Sequence, residues 1–351
     1  MKYIIEEYVL NEYNASSKAR KDISHFVLQN GFQSLGKNDK TKIRHNKLAK
    51  TILAFKLFMR IFSLGKEDTL FLQTSNVLLK QILRIKRIKN FKIIFLIHDL
   101  YCLRYSEPES IRINESEINT DIKLMSQCDY IIAHNPIMVD RLKLFGCTSN
   151  IISLNIFDYI YNLPVRRTKT RTPDQRIQVV FAGNLSKSKF LQNMDNKPHN
   201  YNLIIYGGPE MKFRNSIYKG CVDADILPNI IEGHFGLIWE GDFIAKETDN
   251  YLCVNNPHKM SMYIVAGLPI IVWRKSAAAK FVEENKIGIT IESLDEIDTI
   301  ADKLTTEQYS IMVENCHKIR QSLVHGEHIY KALSSCLHSY LYTEVVSRYG
   351  D

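Results

Sequence analysis

The stretch NNPHKMSMYIVAGLPIIVW, Asn255 to Trp273, joins a polar cluster to an apolar run and then to a β-branched strand. The run MSMYIVAG has the composition of a buried helix, Gly-Leu-Pro is typical of a tight turn, and IIVW is typical of a buried strand. A buried helix that leads at once into a buried strand is the repeating unit of a parallel α/β sheet. The stretch therefore predicts this fold, and it places several anion-binding groups at the start of its helix.

The same alternation of strand and helix runs through the rest of the chain. Further apolar, β-branched runs that end in polar residues lie at residues 3–10, 69–74, 92–99, 130–135, 150–155, 177–184, 201–208, 234–242 and 287–293. Segments with helical apolar spacing separate them, such as PIMVDRLKLFG, which ends at Gly146 as a helix C-cap does. Continuous apolar strands between helices predict parallel sheets that are covered on both faces.

A break in composition divides the chain of 351 residues into two predicted domains. The segment LPVRRTKTRTPDQR, Leu163 to Arg176, is basic and contains two prolines, which is typical of a linker. We therefore predict a doubly wound, Rossmann-like domain at residues 1–163, a linker at 164–176, and a second such domain at 177–325 that faces the first across a cleft. Residues 326–351 are amphipathic and predict a C-terminal helix that caps the second domain or crosses back to the first.

Charge and composition narrow the choice of partners. The net charge of +8 calls for an acidic partner, but the basic residues are dispersed and no aromatic-basic signature occurs, so we predict no nucleic-acid partner. The segment KQILRIKRIKNFK, Lys80 to Lys92, alternates bases with Ile and Leu. It favours either a peripheral contact with the anionic inner face of the plasma membrane or a solvated helix face beside a core.

Features that the sequence lacks argue against several classes of protein. No run of about 18 uncharged apolar residues occurs, and MKYIIEEYVLNEY has no apolar core of a signal peptide, so we expect a cytoplasmic protein. The seven cysteines show no CxxC pair, and neither disulfides nor structural zinc are expected. The motifs GxGxxG, GxxxxGK[ST] and GxSxG do not occur, which argues against hydride-transfer enzymes and P-loop kinases.

Polar side chains follow nearly every predicted strand, and ligands of open α/β sheets bind beyond these carboxyl ends. In the first predicted domain they are Ser16, Ser17, Lys18 and Arg20 in the loop NASSKAR, His98 with Asp99, and His134 with Asn135. In the second they are Asn184, Lys187, Tyr206, Gly207, Asp242 and the cluster from Asn255 to Lys259. For each of them, a polar loop at a strand end is the alternative interpretation.

The opening stretch predicts an anion site. Asn255 or Asn256 can cap a helix whose first turn contains Pro257. The N–H groups of that turn and the positive end of the helix dipole attract an anion, and Lys259 adds a full charge within one turn. This combination suits a diphosphate, whereas a lysine on a helix surface is by itself more often solvated.

The residues FAGNLSKSKF, FGLIWEGD, NNPHKMSMYIVAGLPIIVW, LIHDL and DYIIAHNPIM together resemble a bacterial glycosyltransferase family of GT-B architecture. The family includes β-1,6-galactofuranosyltransferases of O-antigen assembly and glucosyltransferases that extend the glycan of serine-rich adhesins. The resemblance implies two Rossmann-like domains, of which the second holds a UDP-sugar and the first presents a saccharide acceptor. It also implies a homo-oligomer.

The resemblance further implies a donor site in the second domain. Lys187 and Lys259 would neutralise the diphosphate, although the family's glucosyltransferases carry arginine where Lys187 stands. Tyr206 and the backbone at Gly207 would meet the base, with a tyrosine at the edge of the core as the alternative for Tyr206. The remaining donor contacts would come from Asn184, Asp242, Asn255, Asn256 and Ser261.

An inverting reaction needs a general base on the acceptor hydroxyl. Asp99 is the first candidate and His98 the second, and a helix N-cap is the alternative for Asp99. The first-domain contacts to acceptor or donor phosphate would come from Ser16, Ser17, Lys18 and Arg20. The acidic triplet DAD, Asp223 to Asp225, is predicted to form a turn into a helix, so we expect a metal-independent enzyme without a cofactor.

The leading hypothesis is an inverting transferase that moves galactofuranose, glucose or galactose from a UDP-sugar to a saccharide acceptor, including a lipid-linked one. The product would be a surface polysaccharide or a glycoprotein glycan. Two alternatives stay open: a GT-B-type epimerase or phosphorylase, and a catalytically silent nucleotide-sugar-binding partner of a transferase.

Overall fold

The computed structural model describes residues 1–8, 15–39, 47–100, 120–161, 175–240 and 251–337. They form two compact units. The first unit contains Ser16–Phe157, the amino-terminal strand and the chain from Gly326, and the second contains Asp158–His325. Most of the predicted linker at residues 164–176 lies outside the described residues. Among the described residues, no helix is long and apolar enough to cross a bilayer.

The first unit is built on six parallel strands. They are β1 (Lys2–Tyr8), β2 (Gln33–Asp39), β3 (Thr69–Leu72), β4 (Lys92–Leu96), β5 (Tyr130–Ala133) and β6 (Asn150–Ser153). The described helices are α1 (Ala15–Gln29), α2 (Lys47–Phe62), α3 (Asn76–Lys89) and α4 (Pro136–Leu144), and residues 120–125 are also helical. The strand order is β2-β1-β3-β4-β5-β6, so the direction of winding reverses between β1 and β3.

The second unit also has six parallel strands. They are β7 (Gln178–Ala182), β8 (Asn202–Tyr206), β9 (Ile217–Tyr218), β10 (Phe235–Ile238), β11 (Ile270–Trp273) and β12 (Gly288–Ile291). The helices are α5 (Phe190–Asp195), α6 (Leu227–Ile230), α7 (His258–Val265), α8 (Ala279–Glu284), α9 (Glu296–Lys303) and α10 (Thr306–Val324). The strand order β12-β11-β10-β7-β8-β9 reverses between β7 and β10, where doubly wound sheets bind ligands.

The predicted strands form, but two further strands and the start of α1 at Ala15 do not follow from the sequence pattern. Strands β3, β10 and β11 are buried at every residue, as expected for parallel strands covered on both faces. Helix α4 begins with Asn135, whose Oδ1 accepts a hydrogen bond from Met138 N at 2.9 Å, and it is followed by Gly146 at φ +82°. The pattern does not predict β2 and β9, which are edge strands.

The described part of the C-terminal segment belongs to the first unit. Helix α10 ends at Val324, and residues 327–337 are again helical. Between them, Gly326 has φ +73°, and a Cβ there would lie 2.4 Å from Phe26 Cδ1. Tyr330 donates a hydrogen bond from its hydroxyl to Gln29 Oε1 at 3.2 Å, so this helix packs against α1.

Candidate active site

Helix α7 begins beside the carboxyl end of β7. Its N-cap residue is Pro257, with φ −70° and ψ 135°, whose side chain makes no capping hydrogen bond. The predicted cap by Asn255 or Asn256 is therefore wrong: extended Pro257 delays the first helical residue to His258, which moves both asparagines out of the capping position. The predicted anion site at this first turn does not depend on such a cap, because backbone N–H groups can supply the donors.

Tyr263 attaches this helix to the point where the winding of the sheet reverses. Strands β7 and β10 pair at only two residue positions, and beyond these the Tyr263 hydroxyl links them. It accepts a hydrogen bond from Ala182 N at 2.8 Å and faces carbonyl oxygens at 3.3 Å in β7 and 3.4 Å in β10. Gly236 makes room for the ring, since a Cβ there would lie 2.2 Å from Tyr263 Cγ. Lys259 lies four residues earlier on the same helix face.

The ammonium of Lys259 lies against the end of β7. Its Nζ is 4.4 Å from the centroid of the Phe181 ring and 3.5 Å from the position that a Cβ on Gly183 would take. Burial lowers the pKa of Lys259, and the carboxylate of Glu240 raises it by a smaller amount. Within the described parts of the chain this ammonium forms no ion pair, so its charge is compensated by a ring face and by a more distant carboxylate.

Two glycines bring the ends of β7 and β8 close together beside this lysine. Gly207 has φ +139°, and a Cβ there would lie 1.9 Å from Gly183 O. Gly183 N donates to Tyr206 O at 3.1 Å, and Leu185 N donates to Gly208 O at 2.9 Å. Neither glycine adds a side chain of its own at this edge, which leaves the backbone open to a bulky anion.

Three buried polar atoms near the same edge of the sheet have no hydrogen-bond partner within the described residues: Trp239 Nε1, Asn255 Oδ1 and Ser276 Oγ. Trp239 follows β10, Ser276 follows β11, and Ala277 N donates to Leu252 O at 2.8 Å, which joins the segment before α7 to the end of β11. An unpaired buried polar atom costs roughly 1–3 kcal/mol. A polar ligand or water at this edge would relieve that cost.

The other predicted donor residues have different surroundings. Lys187 is exposed at the end of a short 3-10 helix (Leu185–Lys187), and the Oδ1 of Asn184 caps that helix by accepting from Ser186 N at 3.0 Å. Tyr206 is 4% exposed and burial raises its pKa, which fits the alternative of a tyrosine at the core edge. Ser261 and Asn256 are buried, and Asp242 lies outside the described residues.

In the first unit, His98 is held at the carboxyl edge of the sheet. Its Nε2 lies 2.8 Å from Gln73 Oε1, and its ring stacks on Phe157 at 5.5 Å. The amide nitrogen of Gln73 donates to Arg20 O and to Ser24 Oγ at 3.0 and 2.7 Å. Since Gln73 thus turns its oxygen towards the histidine, His98 Nε2 carries a proton. Asp99 follows as a half-buried residue of the same loop.

His134 packs edge-on against the same Phe157 ring, with the ring centroids 4.9 Å apart, but it is more buried than His98. It is 2% exposed, its Nε2 lies 3.0 Å from Ile97 O, and burial lowers its pKa to about 4. The interpretation of His134 as a strand-end histidine bonded to the backbone is confirmed.

The loop predicted at NASSKAR is wrong from Ala15 onward, because helix α1 begins there and contains Ser16, Ser17, Lys18 and Arg20. Lys18 is 4% exposed and its ammonium lies 2.5 and 2.7 Å from the two carboxylate oxygens of Asp22, one turn later. The apolar residues of SSKARKDISHF recur at helical spacing, so the helix extends back into the polar residues at its start. The buried Asp22 neutralises Lys18 within this helix.

The acidic triplet forms the predicted turn. Asp223 Oδ1 accepts from Asp225 N at 2.7 Å, and Asp223 O accepts from Leu227 N at 2.9 Å at the start of α6. Among the described residues, no group of three His, Cys, Asp or Glu side chains is placed to hold a metal ion.

Two family models together match nearly the whole chain. Residues 1–156 match the Glucosyltransferase 3-like N-terminal domain, and residues 179–336 match the Glucosyltransferase 3-like C-terminal domain. The chain belongs to the Glucosyltransferase 3-like family. It is therefore a glycosyltransferase, and the predicted family is confirmed.

Two curated relatives agree with this assignment. The chain is 31% identical over 261 residues to beta-1,6-galactofuranosyltransferase WbbI of Escherichia coli (strain K12), with 72% of this chain and 73% of that protein covered. It is 28% identical over 245 residues to glucosyltransferase 3 of Streptococcus gordonii, with 68% and 69% covered.

The fold is that of solved GT-B enzymes. A crystal structure of HepE from Anabaena in complex with UDP and glucose superposes with a TM-score of 0.63 at 13% identity, over 95% of this chain and 100% of that one. The predicted GT-B class is confirmed by this likeness and by the two parallel six-stranded sheets.

Two residues of this Glucosyltransferase 3-like chain are missing from the sequence-based site. Gln73 lies at the end of β3 and orients His98, and Tyr263 looks like one apolar residue among many in MSMYIVAG. The signal available for Gln73 was its position after a buried strand. Nothing in the sequence distinguishes Tyr263 from a core tyrosine, because its role depends on the splaying of β7 from β10.

Proposed function

We propose that the protein transfers a hexose, with inversion, from a UDP-sugar to a saccharide acceptor. The observation that carries the proposal is the ammonium of Lys259, which lies between the Phe181 ring and Gly183 without an ion pair in the described residues. It lies at the first turn of α7, whose N-cap residue Pro257 makes no side-chain capping bond. A diphosphate would receive both the ammonium and the backbone N–H groups.

The chemistry at this edge favours a leaving group whose charge grows. As the bond between sugar and phosphate breaks, negative charge accumulates on the diphosphate, and a fixed cation in a partly desolvated place stabilises it more than water would. Lys187 is exposed at the end of the 3-10 helix after β7, from where it would add a second charge. These two cations and the helix dipole support a metal-independent reaction. HepE was solved with UDP, which supports a uridine donor.

The acceptor hydroxyl needs a base, for which Asp99 is the first candidate and His98 the second. The proton on His98 Nε2 is committed to Gln73, so a neutral His98 would accept a proton at Nδ1. Asp99 is half-buried and follows His98 directly. Replacing Asp99 by Asn and His98 by Gln in separate variants, and comparing kcat, separates the two candidates.

The named relatives guide the choice of sugar and setting. WbbI is a galactofuranosyltransferase and the streptococcal protein is a glucosyltransferase, so galactofuranose, glucose and galactose are the donors to test. We place the protein in the cytoplasm as a homo-oligomer, in contact with the inner face of the plasma membrane when its acceptor is lipid-linked. Its product would be a surface polysaccharide or a glycoprotein glycan.

The proposal is tested by ligand binding to the full chain. Calorimetry with UDP should show binding, and Lys259→Ala should weaken it about tenfold to a hundredfold, the range for a lost charge-assisted hydrogen bond. Lys280→Ala is the matched control, because Lys280 is an exposed lysine on a helix of the same unit. Thermal-shift screening against UDP-, GDP- and dTDP-sugars then ranks the donors. Failure of every UDP compound to stabilise the protein would refute the proposal.

Two alternatives give different products. An epimerase would convert a UDP-sugar without any acceptor, which product analysis detects directly. A silent binding partner would bind UDP but leave acceptor glycosylation unchanged when Asp99→Asn and Lys259→Ala are introduced.

A further inference from the structure

Helix α2 exposes an apolar stripe that no described element covers. Its exposed large hydrophobic residues recur on one side of the helix and are between 39% and 64% exposed: Ile52, Phe55, Phe58, Met59 and Phe62. Together with Val77 and Ile88 of α3, these make seven of the thirteen exposed large hydrophobic residues in the described chain. Two neighbouring helices thus hold more than half of this surface, which marks an interaction site rather than scattered exposure.

The stripe is not the face with which α2 packs on its own sheet. On the opposite side Ile61 is 2% exposed, Arg60 donates to Leu35 O at 2.9 Å, and Leu57 Cδ1 lies 3.1 Å from the Cβ position of Gly36. The helix is therefore apolar on both sides, although only one side meets the core. The apolar side that lies outside the core calls for a second apolar environment.

The charges around the stripe select the kind of partner. Helix α2 has four Lys or Arg residues and α3 has five, and neither helix contains Asp or Glu. Lys56, Lys80 and Arg84 are exposed. Lys89 lies 5.0 Å above the Phe62 ring, so a base of α3 directly borders the stripe of α2. An apolar stripe bordered by bases is the arrangement of a helix that lies in the interface of an anionic membrane.

The two helices contribute different groups to this surface. In α3, the apolar residues Leu79, Ile82, Leu83 and Ile85 are buried in the core and only Val77 and Ile88 are exposed, so this helix alone offers a membrane bases but no continuous apolar stripe. Helix α2 supplies the apolar groups that α3 lacks. The membrane surface predicted from KQILRIKRIKNFK is thus incomplete without α2.

We propose that the exposed faces of α2 and α3 form one docking surface for an anionic phospholipid bilayer, with Phe55, Met59 and Phe62 inserted among the acyl chains and the bases at the phosphates. A second copy of the chain fits less well, because a two-fold contact would bring the exposed Lys56, Lys80 and Arg84 of one copy close to the same bases of the other. The inference deepens the proposed function, on which it rests only for the lipid-linked acceptor.

Vesicle flotation of the purified full chain tests the surface without any sugar donor. The chain should float with phosphatidylcholine vesicles that contain phosphatidylglycerol and stay in solution with phosphatidylcholine alone. Lys80→Gln with Arg84→Gln should weaken binding about thirtyfold, since each base near an anionic surface contributes about fivefold. Phe55→Ser with Met59→Ser should weaken it at least about tenfold.

Matched controls keep the result specific. Ile311→Ser and Lys280→Gln change an equally exposed apolar residue and a base in the second unit, and both should float like the wild type. Melting temperature and UDP affinity of all variants should equal those of the wild type. The vesicle test uses no sugar donor, so it stays valid even if the proposed donor site is wrong. The two pairs lie on different helices, and a folding defect in one leaves the other informative.

Three outcomes would overturn the proposal. The first is a wild type that does not float with phosphatidylglycerol, or floats equally after both pairs of substitutions. The second is an oligomer that Phe55→Ser with Met59→Ser converts to a monomer without any vesicle binding, which would make the stripe a self-interface. The third is retention on single-stranded DNA that depends on Lys80 and Arg84 while vesicle binding is absent.

Discussion

Each unit places a lysine near the start of a helix at the carboxyl edge of its sheet, but within the described ranges only one of them forms an ion pair with a carboxylate. Lys18 in α1 is bonded to both oxygens of Asp22 at 2.5 and 2.7 Å, whereas Lys259 in α7 faces the Phe181 ring at 4.4 Å. The residue four positions later decides the difference: it is Asp22 in one helix and the phenol Tyr263 in the other. The ion pair reduces the charge that Lys18 offers to a ligand, whereas the ammonium of Lys259 at its ring face keeps a charge that attracts an anion.

The largest expected effect comes from breaking the buried pair. Lys18→Met leaves Asp22 charged and buried, which should lower the free energy of unfolding by about 3–5 kcal/mol. Denaturant unfolding measures it. The double variant Lys18→Met with Asp22→Leu should recover most of this loss, since both charges are then gone. An equally unstable double variant would show that Lys18 acts by another route, such as binding a ligand.

The next largest effect concerns Tyr263, which lies four residues after Lys259 as Asp22 lies four residues after Lys18. Tyr263→Phe removes the acceptor of Ala182 N and should cost about 1–3 kcal/mol of stability. Because it also loosens α7 from β7, the affinity for UDP should fall severalfold although Tyr263 is fully buried and meets no ligand. Calorimetry with UDP measures that loss.

Tyr309→Phe is the matched control for this variant. Tyr309 is also a buried tyrosine of the second unit, and its hydroxyl donates to His234 O at 3.2 Å, before β10 begins. It should lose comparable stability and keep its UDP affinity. Equal losses of affinity in both variants would mean that Tyr263 acts through general stability and has no positioning role.

The comparison also shows how far the sequence predicts the molecule. The central strands were predictable because strands covered on both faces must be continuously apolar, as IIVW and TLFL are. Strand β2, with the sequence QSLGKND, was missed because it pairs with β1 alone and can be polar on its open side. Strand β9 was missed for the same reason, because it is an edge strand, and it has only two residues.

The candidate site was predictable in its chemistry but only partly in its placement. Strand ends and the lysine after Pro257 follow from the chain itself, so Lys259 was identified. The ion pair of Lys18 was readable too, since K-x-x-x-D spans one helical turn, but the pattern is informative only once α1 is known to begin at Ala15. The orphaned Trp239 Nε1 and Ser276 Oγ follow different strands, and only the sheet brings them to the same edge.

The smallest expected effect is a pH dependence that separates the two lysines further. Burial lowers the pKa of Lys259 in the folded protein, so its ammonium loses its proton at a lower pH than an ordinary lysine does. A bound diphosphate favours the charged form and raises that pKa again. UDP affinity should therefore be greatest below the lowered pKa and fall as pH rises through it, by at most about tenfold per pH unit for one proton.

Lys259→Arg isolates this effect, because guanidinium keeps its proton throughout the accessible range. Calorimetry with UDP from neutral to alkaline pH should show a steeper fall in the wild type than in the variant, and titration of the ligand itself cancels in the difference. Equal slopes would place the anion elsewhere on the edge of the sheet. A steeper wild-type slope would show that the lysine without a carboxylate holds the diphosphate, as its pairing with a ring face at the first turn of α7 implies.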